Sequence, residues 1–480
     1  MPSRVSEELF VDAALPTLEH YATIPCLSPN FDAEWAANGH LDRAVELFAR
    51  WAEDRELRGA TVSIRRLEGR TPMLVVDVPP TCDAAGTVVI YGHLDKQPAL
   101  GEWGEGLAPF TPVRRDDRLY ARGVADDGYA MFTALLGIAA LERDGVGHGR
   151  VVVLIEASEE SSSADLEAHL DALSGELGEV DLLVCLDSGA LTYDRLWVTT
   201  SLRGMVIVTL TIEVLQHGVH SGTAGGVVPS SFRILRELLD RLEHPRTGEV
   251  LLRELHAKIP DRHLAAAGLV AKDLGDPAAN DLPVVDGLEL LGRDGADRLI
   301  RRTWEPAVSV IGMGGIPGPG DAANLLRPAT TAVLGVRLPP TVDAELAARR
   351  VVQTLTERPP HGARVSATSI QADGWVAPPL EPWLREAIQH TSIERFGREP
   401  GFVGEGGSIP FLASLAARFP AVQFLATGVL GPGSNAHGPD ESLHVPTAAR
   451  LCDVVADVVG AHARWRLARP STRRPTEAPA

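Results

Sequence analysis

Val88-Val89-Ile90-Tyr91-Gly92-His93-Leu94-Asp95 decides the fold. It is a short apolar, β-branched run that closes on a histidine and an aspartate two positions apart. Two further runs have the same form: Val151-Val152-Val153-Leu154-Ile155-Glu156, followed closely by Glu159-Glu160, and Leu182-Leu183-Val184-Cys185-Leu186-Asp187. Strands that are apolar without alternation belong to a sheet covered on both faces. Helical patterns stand between them at Met131–Leu141 and Asp165–Leu173. The rhythm predicts an α/β fold with a mostly parallel sheet sandwiched by helices. Polar residues just past such strands lie at the carboxyl edge, where open α/β folds assemble their sites.

From Ser201 the rhythm changes. Strands are expected at Val206–Val214, Thr331–Leu338 and Val365–Ile370. Helices are expected at Ile234–Leu242 and Asp343–Leu355, with a long irregular stretch in the middle. After the Pro-rich Ala377–Pro382 segment, a helix at Trp383–Phe396, a strand at Val422–Leu425 and a helix from Thr447 resume the α/β pattern. This predicts a discontinuous first domain, residues 1–200 and 377–463, with an α+β domain inserted at 201–376. The Arg/Pro-rich residues 464–480 read as a disordered tail.

Composition narrows the function. Of 480 residues, 45 are Lys or Arg and 64 are Asp or Glu, a net charge of −19. That opposes nucleic acid or an anionic membrane as partner, since both demand a basic face. Cys26, Cys82, Cys185 and Cys452 are too scattered for a disulfide framework or a thiolate metal site. The opening Met1–Pro16 segment has acids where a secretory leader has an apolar core, and no stretch has 18 uninterrupted apolar residues. A cytoplasmic location is expected.

Each chemical cluster has an ordinary explanation when taken alone. His93 is a satisfied imidazole, Asp126-Asp127 cap the helix that follows, and His437 lies in the turn-rich Gly433–Glu441 loop. At strand period two, however, His93 and Asp95 point to one side, so Asp95 can accept the imidazole N–H that does not face a metal. Glu159 and Glu160 follow a buried strand, as does Asp187. Two imidazoles and several carboxylates delivered to one sheet edge are the ligand mix for a pair of divalent metals such as Zn²⁺ or Mn²⁺.

Eight segments, in order, then carry a resemblance. They are Tyr91–Asp95 with Gln97-Pro98, Leu119-Tyr120 with Arg122-Gly123 and Asp126-Asp127-Gly128, Glu159-Glu160, Leu186–Ser188, His220–Gly222 with Gly225-Gly226, Arg337–Pro340, Gly406–Pro410 and Ala436-His437. The chain resembles the M20 metallopeptidases over nearly its whole length, most closely their carnosinase-like or cytosolic non-specific dipeptidase branch. The resemblance implies a zinc-exopeptidase-like catalytic domain and an inserted domain that acts as lid and dimer contact. It implies two divalent ions per subunit, with Asp126 bridging them, His93 and Asp187 completing one shell, and Glu160 and His437 the other. Glu159 becomes the general base and Asp95 the partner of His93. The resemblance further implies hydrolysis of a peptide bond next to a free C-terminal carboxylate, by a water that the two ions would activate. His220 is implied to reach the neighbouring subunit's site in a homodimer, Arg337 to hold the substrate carboxylate, and Ser408 and Asn324 to contact substrate.

The resemblance has departures. Asn324 stands in place of Thr, Gly128-Tyr129 in place of Lys-Gly, and Gly404 in place of Arg. None removes a metal ligand, but all bear on substrate preference. An N-acyl amino-acid deacylase on the same site is therefore the alternative to a dipeptidase. A catalytically inactive binding protein is opposed by the complete ligand set together with Glu159.

Overall fold

The Thr87–His93 strand is buried at every position and lies in the middle of the central sheet. The computed structural model describes residues 3–55, 57–280, 282–407 and 409–469. In it the strand pairs in parallel with Arg150–Glu156 on one side and Val180–Cys185 on the other. Gln423–Ala426 adds a fourth parallel strand beside Val180–Cys185. Toward the edges the pairing becomes antiparallel, through Met73–Val78 and Thr61–Arg65 at one end and Trp197–Leu202 at the other. The register sets His93 against Glu156 and Tyr91 against Cys185. Asp95, Glu159, Glu160 and Asp187 therefore leave the sheet at one level, along one carboxyl edge.

A parallel centre needs helices on its faces. Helix Ala130–Arg143 is buried at nearly every position from Ala130 to Leu141. It packs on helix Val445–Ala468, itself buried along most of its length. A Cβ on Gly137 would lie 2.5 Å from the Cys452 carbonyl oxygen, so glycine is what lets these two helices close. The segment Val124–Arg143 is long and apolar enough to cross a membrane, but it is a core element here, buried within the protein.

The chain divides into two compact units, Met1–Thr199, Pro378–Gly401 and Ser414–Ala480 forming one and Thr200–Ala377 with Phe402–Ala413 the other. Phe402–Ala413, placed by sequence in the first domain, groups with the second. Arg203 shows why: its backbone N–H donates to the Gly407 carbonyl and its Nε to that of Gly406, each at 3.1 Å. The second unit holds an antiparallel sheet in the order Ala307–Gly314, Ala329–Leu338, Gly204–Glu213, Arg364–Ala372. The two middle strands alternate buried and less buried positions, the pattern of a sheet covered on one face. Ile234, Leu235 and Leu238 of helix Ser231–Leu239, and Val351 and Leu355 of helix Ala344–Thr356, supply that cover.

Two expectations need correcting. The stretch read as irregular contains helices Asp261–Leu274 and Gly295–Trp304 and the edge strand Ala307–Gly314. The strand was hidden because Val310, Ile311 and Met313 are all exposed, so no alternation marks a buried face. The tail was placed to begin at Arg464, yet the last helix continues to Ala468. Trp465 stacks on Trp383 with ring centroids 5.0 Å apart, and Arg466 Nε pairs with Asp181 at 2.6 Å. Residues 470–480 lie outside the described residues.

Candidate metal centre

All five expected metal ligands converge in the first unit. His93, the last residue of its strand, is fully buried. Its Nε2 lies 3.2 Å from Asp126 Oδ1 and 3.8 Å from Asp187 Oδ2. The other oxygen of Asp126 faces the opposite way, 3.0 Å from His437 Nε2, which is also 3.3 Å from Glu160 Oε2. Asp126 thus serves two donor groups at once. Donor atoms of His93, Glu159 and Asp187 lie within 4.8 Å of one another, and so do those of His93, Asp126 and Glu160.

Capping does not explain the paired aspartates. Asp126 (φ −125°, ψ 87°) and Asp127 (φ −127°, ψ 25°) are non-helical, and the peptide bond between them is cis. The helix begins after Tyr129, with no side-chain cap. Asp127 Oδ2 instead accepts the His93 backbone N–H at 3.2 Å.

Asp95 does more than its spacing suggested. The Nδ1 of His93 lies 3.1 Å from the Asp95 backbone carbonyl and 3.5 Å from Oδ1, which directs its N–H away from the cluster and leaves Nε2 to face it. The same carboxylate accepts the backbone N–H groups of Glu159 and Glu160 at 3.1 and 3.0 Å, fixing the turn that carries both. Gln97 Nε2 donates to Glu160 Oε2 at 2.6 Å. Behind the turn, buried Glu156 accepts from the hydroxyls of Tyr91, Ser158 and Ser163.

Left to themselves these groups repel one another. Burial, then the Asp187 charge, pushes Glu159 well above the usual carboxylate range, and the same two causes raise Asp127. Burial and Asp126 raise Glu160. Burial also works against charge on Asp126, but hydrogen bonds from His437 and His93 outweigh it and hold this carboxyl well below the usual range. His437 keeps 53% of its side chain exposed; such desolvation as it has opposes protonation, yet its bonds to Asp126 and Glu160 push the imidazole up to about 11. His93 is raised likewise, with Asp126 and Asp95 overcoming burial. Two imidazoles that hold protons against buried carboxylates mark the places where cations are wanted, since ligands must shed protons to bind a metal. Imidazole nitrogen with carboxylate oxygen and no thiolate suits Zn²⁺ or Mn²⁺.

Three more of the expected residues lie in the second unit. His220 is exposed, in the two-residue strand Val219–His220 that pairs with Leu325–Leu326, and its Nδ1 accepts the Gly222 N–H at 3.1 Å. The Asn324 carbonyl accepts the Ser221 N–H at 2.9 Å, so His220 and Asn324 are brought together. Arg337 stands in strand Ala329–Leu338, and burial lowers its pKa. Ser408 lies outside the described residues. Unforeseen partners of the cluster are Arg122, Glu156 and Glu441. All three lie within stretches that the sequence reading singled out, Arg122 in one of the resemblance motifs, but nothing there assigned them a role.

An α/β sheet that presents His93, Glu159, Glu160 and Asp187 at its carboxyl edge, with Asp126 and His437 brought in on loops, forms a candidate centre for divalent metal. The profile of peptidase family M20/M25/M40 matches residues 89–461, and the chain belongs to that family. It is 30% identical over 385 residues to the cysteinylglycine-S-conjugate dipeptidase of Corynebacterium striatum, covering 77% of this chain and 79% of that one. The fold is shared with the dipeptidase Dug1p of Saccharomyces cerevisiae, at a TM-score of 0.77 and 19% identity over 95% of this chain and 97% of the other. Human carnosine dipeptidase 1 matches at a TM-score of 0.77 and 18% identity, over 95% and 98%.

Proposed function

We propose that the protein is a dinuclear metallo-dipeptidase that cleaves the peptide bond next to a free C-terminal carboxylate. The observation that carries this reading is the two-sided Asp126, with His93 3.2 Å from one oxygen and His437 3.0 Å from the other. His93 and Asp187 would hold one divalent ion, Glu160 and His437 a second, and Asp126 both, with Zn²⁺ or Mn²⁺ as the ions. Such ions, when bound, supply Lewis acidity that acidifies water and polarises the scissile carbonyl. Glu159 takes the proton from the attacking water and passes it to the leaving amine. Asp95 holds Glu159 in place through the backbone and directs the free nitrogen of His93 toward the cluster. The dipeptidase relatives support the substrate class.

In this reading the enzyme is a homodimer. His220 reaches the partner's site and stabilises the oxyanion of the tetrahedral intermediate. Arg337 binds the substrate carboxylate with its planar fork, and Asn324 and Ser408 contact the substrate. The exposure of His220 supports a role outside its own unit. A panel of dipeptides and N-acetyl amino acids, offered to protein loaded with Zn²⁺ or Mn²⁺, tests the reading. Turnover of dipeptides is expected, and turnover of the N-acetyl series alone would make the enzyme a deacylase.

A further inference from the structure

Arg122 and Glu441 lie 319 residues apart in the chain and are 1% and 0% exposed. The Nη1 of Arg122 donates to Glu441 Oε2 at 2.7 Å. Its Nη2 donates to the backbone carbonyls of His437 and Gly438 at 3.1 and 2.8 Å. The second oxygen of Glu441 accepts the backbone N–H groups of Gly123, Ala125 and Asp126 at 3.0, 3.2 and 3.3 Å. One ion pair therefore grips the main chain of both loops that present Asp126 and His437. The loops enter side by side, because Ser442–His444 pairs with Arg118–Tyr120 and the Ala121 N–H donates to the Glu441 carbonyl at 3.1 Å.

A buried ion pair is a poor source of net stability, since desolvation offsets most of the attraction. An apolar pair of similar volume would pack as well. It could not satisfy three N–H groups and two carbonyls on separate loops, and those bonds are what set one loop against the other. We infer that Arg122 and Glu441 are positioning residues that fix the spacing of Asp126 and His437, and through it the affinity of the ion these two share. The inference rests on the division of ligands proposed above. His93 belongs to a central strand and Asp187 follows another directly, so the ion between them depends on this brace through Asp126 alone, whereas the other depends on it through both Asp126 and His437.

The consequence is asymmetric. In Arg122→Lys one ammonium cannot reach the carboxylate and both carbonyls. In Glu441→Gln the amide oxygen still accepts from the N–H groups, but the charge that holds Arg122 is gone. Full-length stripped protein is titrated with Zn²⁺ and with Mn²⁺ against a competing chelator, folding is checked by circular dichroism, and His437→Ala serves as the reference. Each variant is expected to weaken the ion that His437→Ala loses by about 10- to 100-fold, to weaken the other clearly less because it shares only Asp126 with the brace, and to refill at high metal. The double variant should lose little more than either single one, because the pair acts as a unit.

Folded variants that keep both ions at wild-type affinity, or lose both alike, overturn the inference. If Arg122→Lys does not fold, Glu441→Gln carries the test. A wild type that takes a single ion overturns the two-site reading and the inference with it. Because metal binding is the readout, a wild type that takes two ions yet cleaves no dipeptide refutes the proposed substrate and leaves this test standing.

Discussion

Glu156→Gln should stabilise the metal-stripped protein at alkaline pH while changing little at acid pH. Glu156 ends the Arg150–Glu156 strand at 2% exposure, and its side-chain partners are three hydroxyls. Burial, then the nearby charge of Asp95, raises it from an ordinary 4.5 to about 7, against the opposing pull of the Tyr91 and Ser163 hydrogen bonds. The unfolded chain loses this proton near the ordinary value, whereas the folded protein keeps it until the higher one. Between the two the folded state binds more protons, so stability falls as pH rises, and the loss is complete above the folded value. The gap of about 2.5 pH units, at about 1.4 kcal/mol each, amounts to about 3 kcal/mol. Glutamine cannot ionise, and the hydroxyls can rotate to match its amide. Urea unfolding at about pH 5 and about pH 8 should show the variant gaining on wild type by about 2–3 kcal/mol between the two, since part of the loss has already occurred at the lower value. A difference that ignores pH, or that moves toward wild type at the higher value, refutes the reasoning.

The remaining predictions concern the cluster and its neighbours. Glu159→Gln should cut turnover by about 10²- to 10⁴-fold with both ions retained, and Asp126→Ala should lose metal; elemental analysis beside the assay decides, and loss of an ion from the Glu159 variant would make this side chain a ligand. In Gly92→Ala the new Cβ would lie 2.6 Å from both Ala130 Cβ and Asp127 Oδ2. That overlap should cost about 1–3 kcal/mol, read as a lowered Tm, and an unchanged Tm would show that the sheet edge yields freely. If His220 acts in trans, exchanging subunits between inactive Glu159→Ala and His220→Ala dimers makes half of the dimers mixed, each with one intact site, and restores roughly a quarter of wild-type activity. Verified exchange without recovery excludes the shared site.

The parallel centre of the fold was legible because buried strands announce themselves as unbroken apolar runs, and the polar residues that stop those runs line the candidate site. His93, Glu159, Glu160 and Asp187 were found in that way. Asp126 and His437 sit on loops, and only their motifs pointed to them; the loops that carry them are joined by the Arg122–Glu441 contact across 319 residues, which no local pattern encodes. Glu156 was passed over as the end of a strand, because nothing in sequence says that Tyr91, Ser158 and Ser163 will turn three hydroxyls onto it. Ala307–Gly314 escaped for the opposite reason, its apolar side chains facing outward along a sheet edge.

The most direct test of the central claim is turnover of a dipeptide by stripped protein as metal is added back in measured equivalents. No turnover is expected at zero metal, and activity should rise with added Zn²⁺ or Mn²⁺ and level off at two ions per subunit. Undiminished turnover in the metal-free protein, or a plateau at one ion that a second does not change, would contradict the claim.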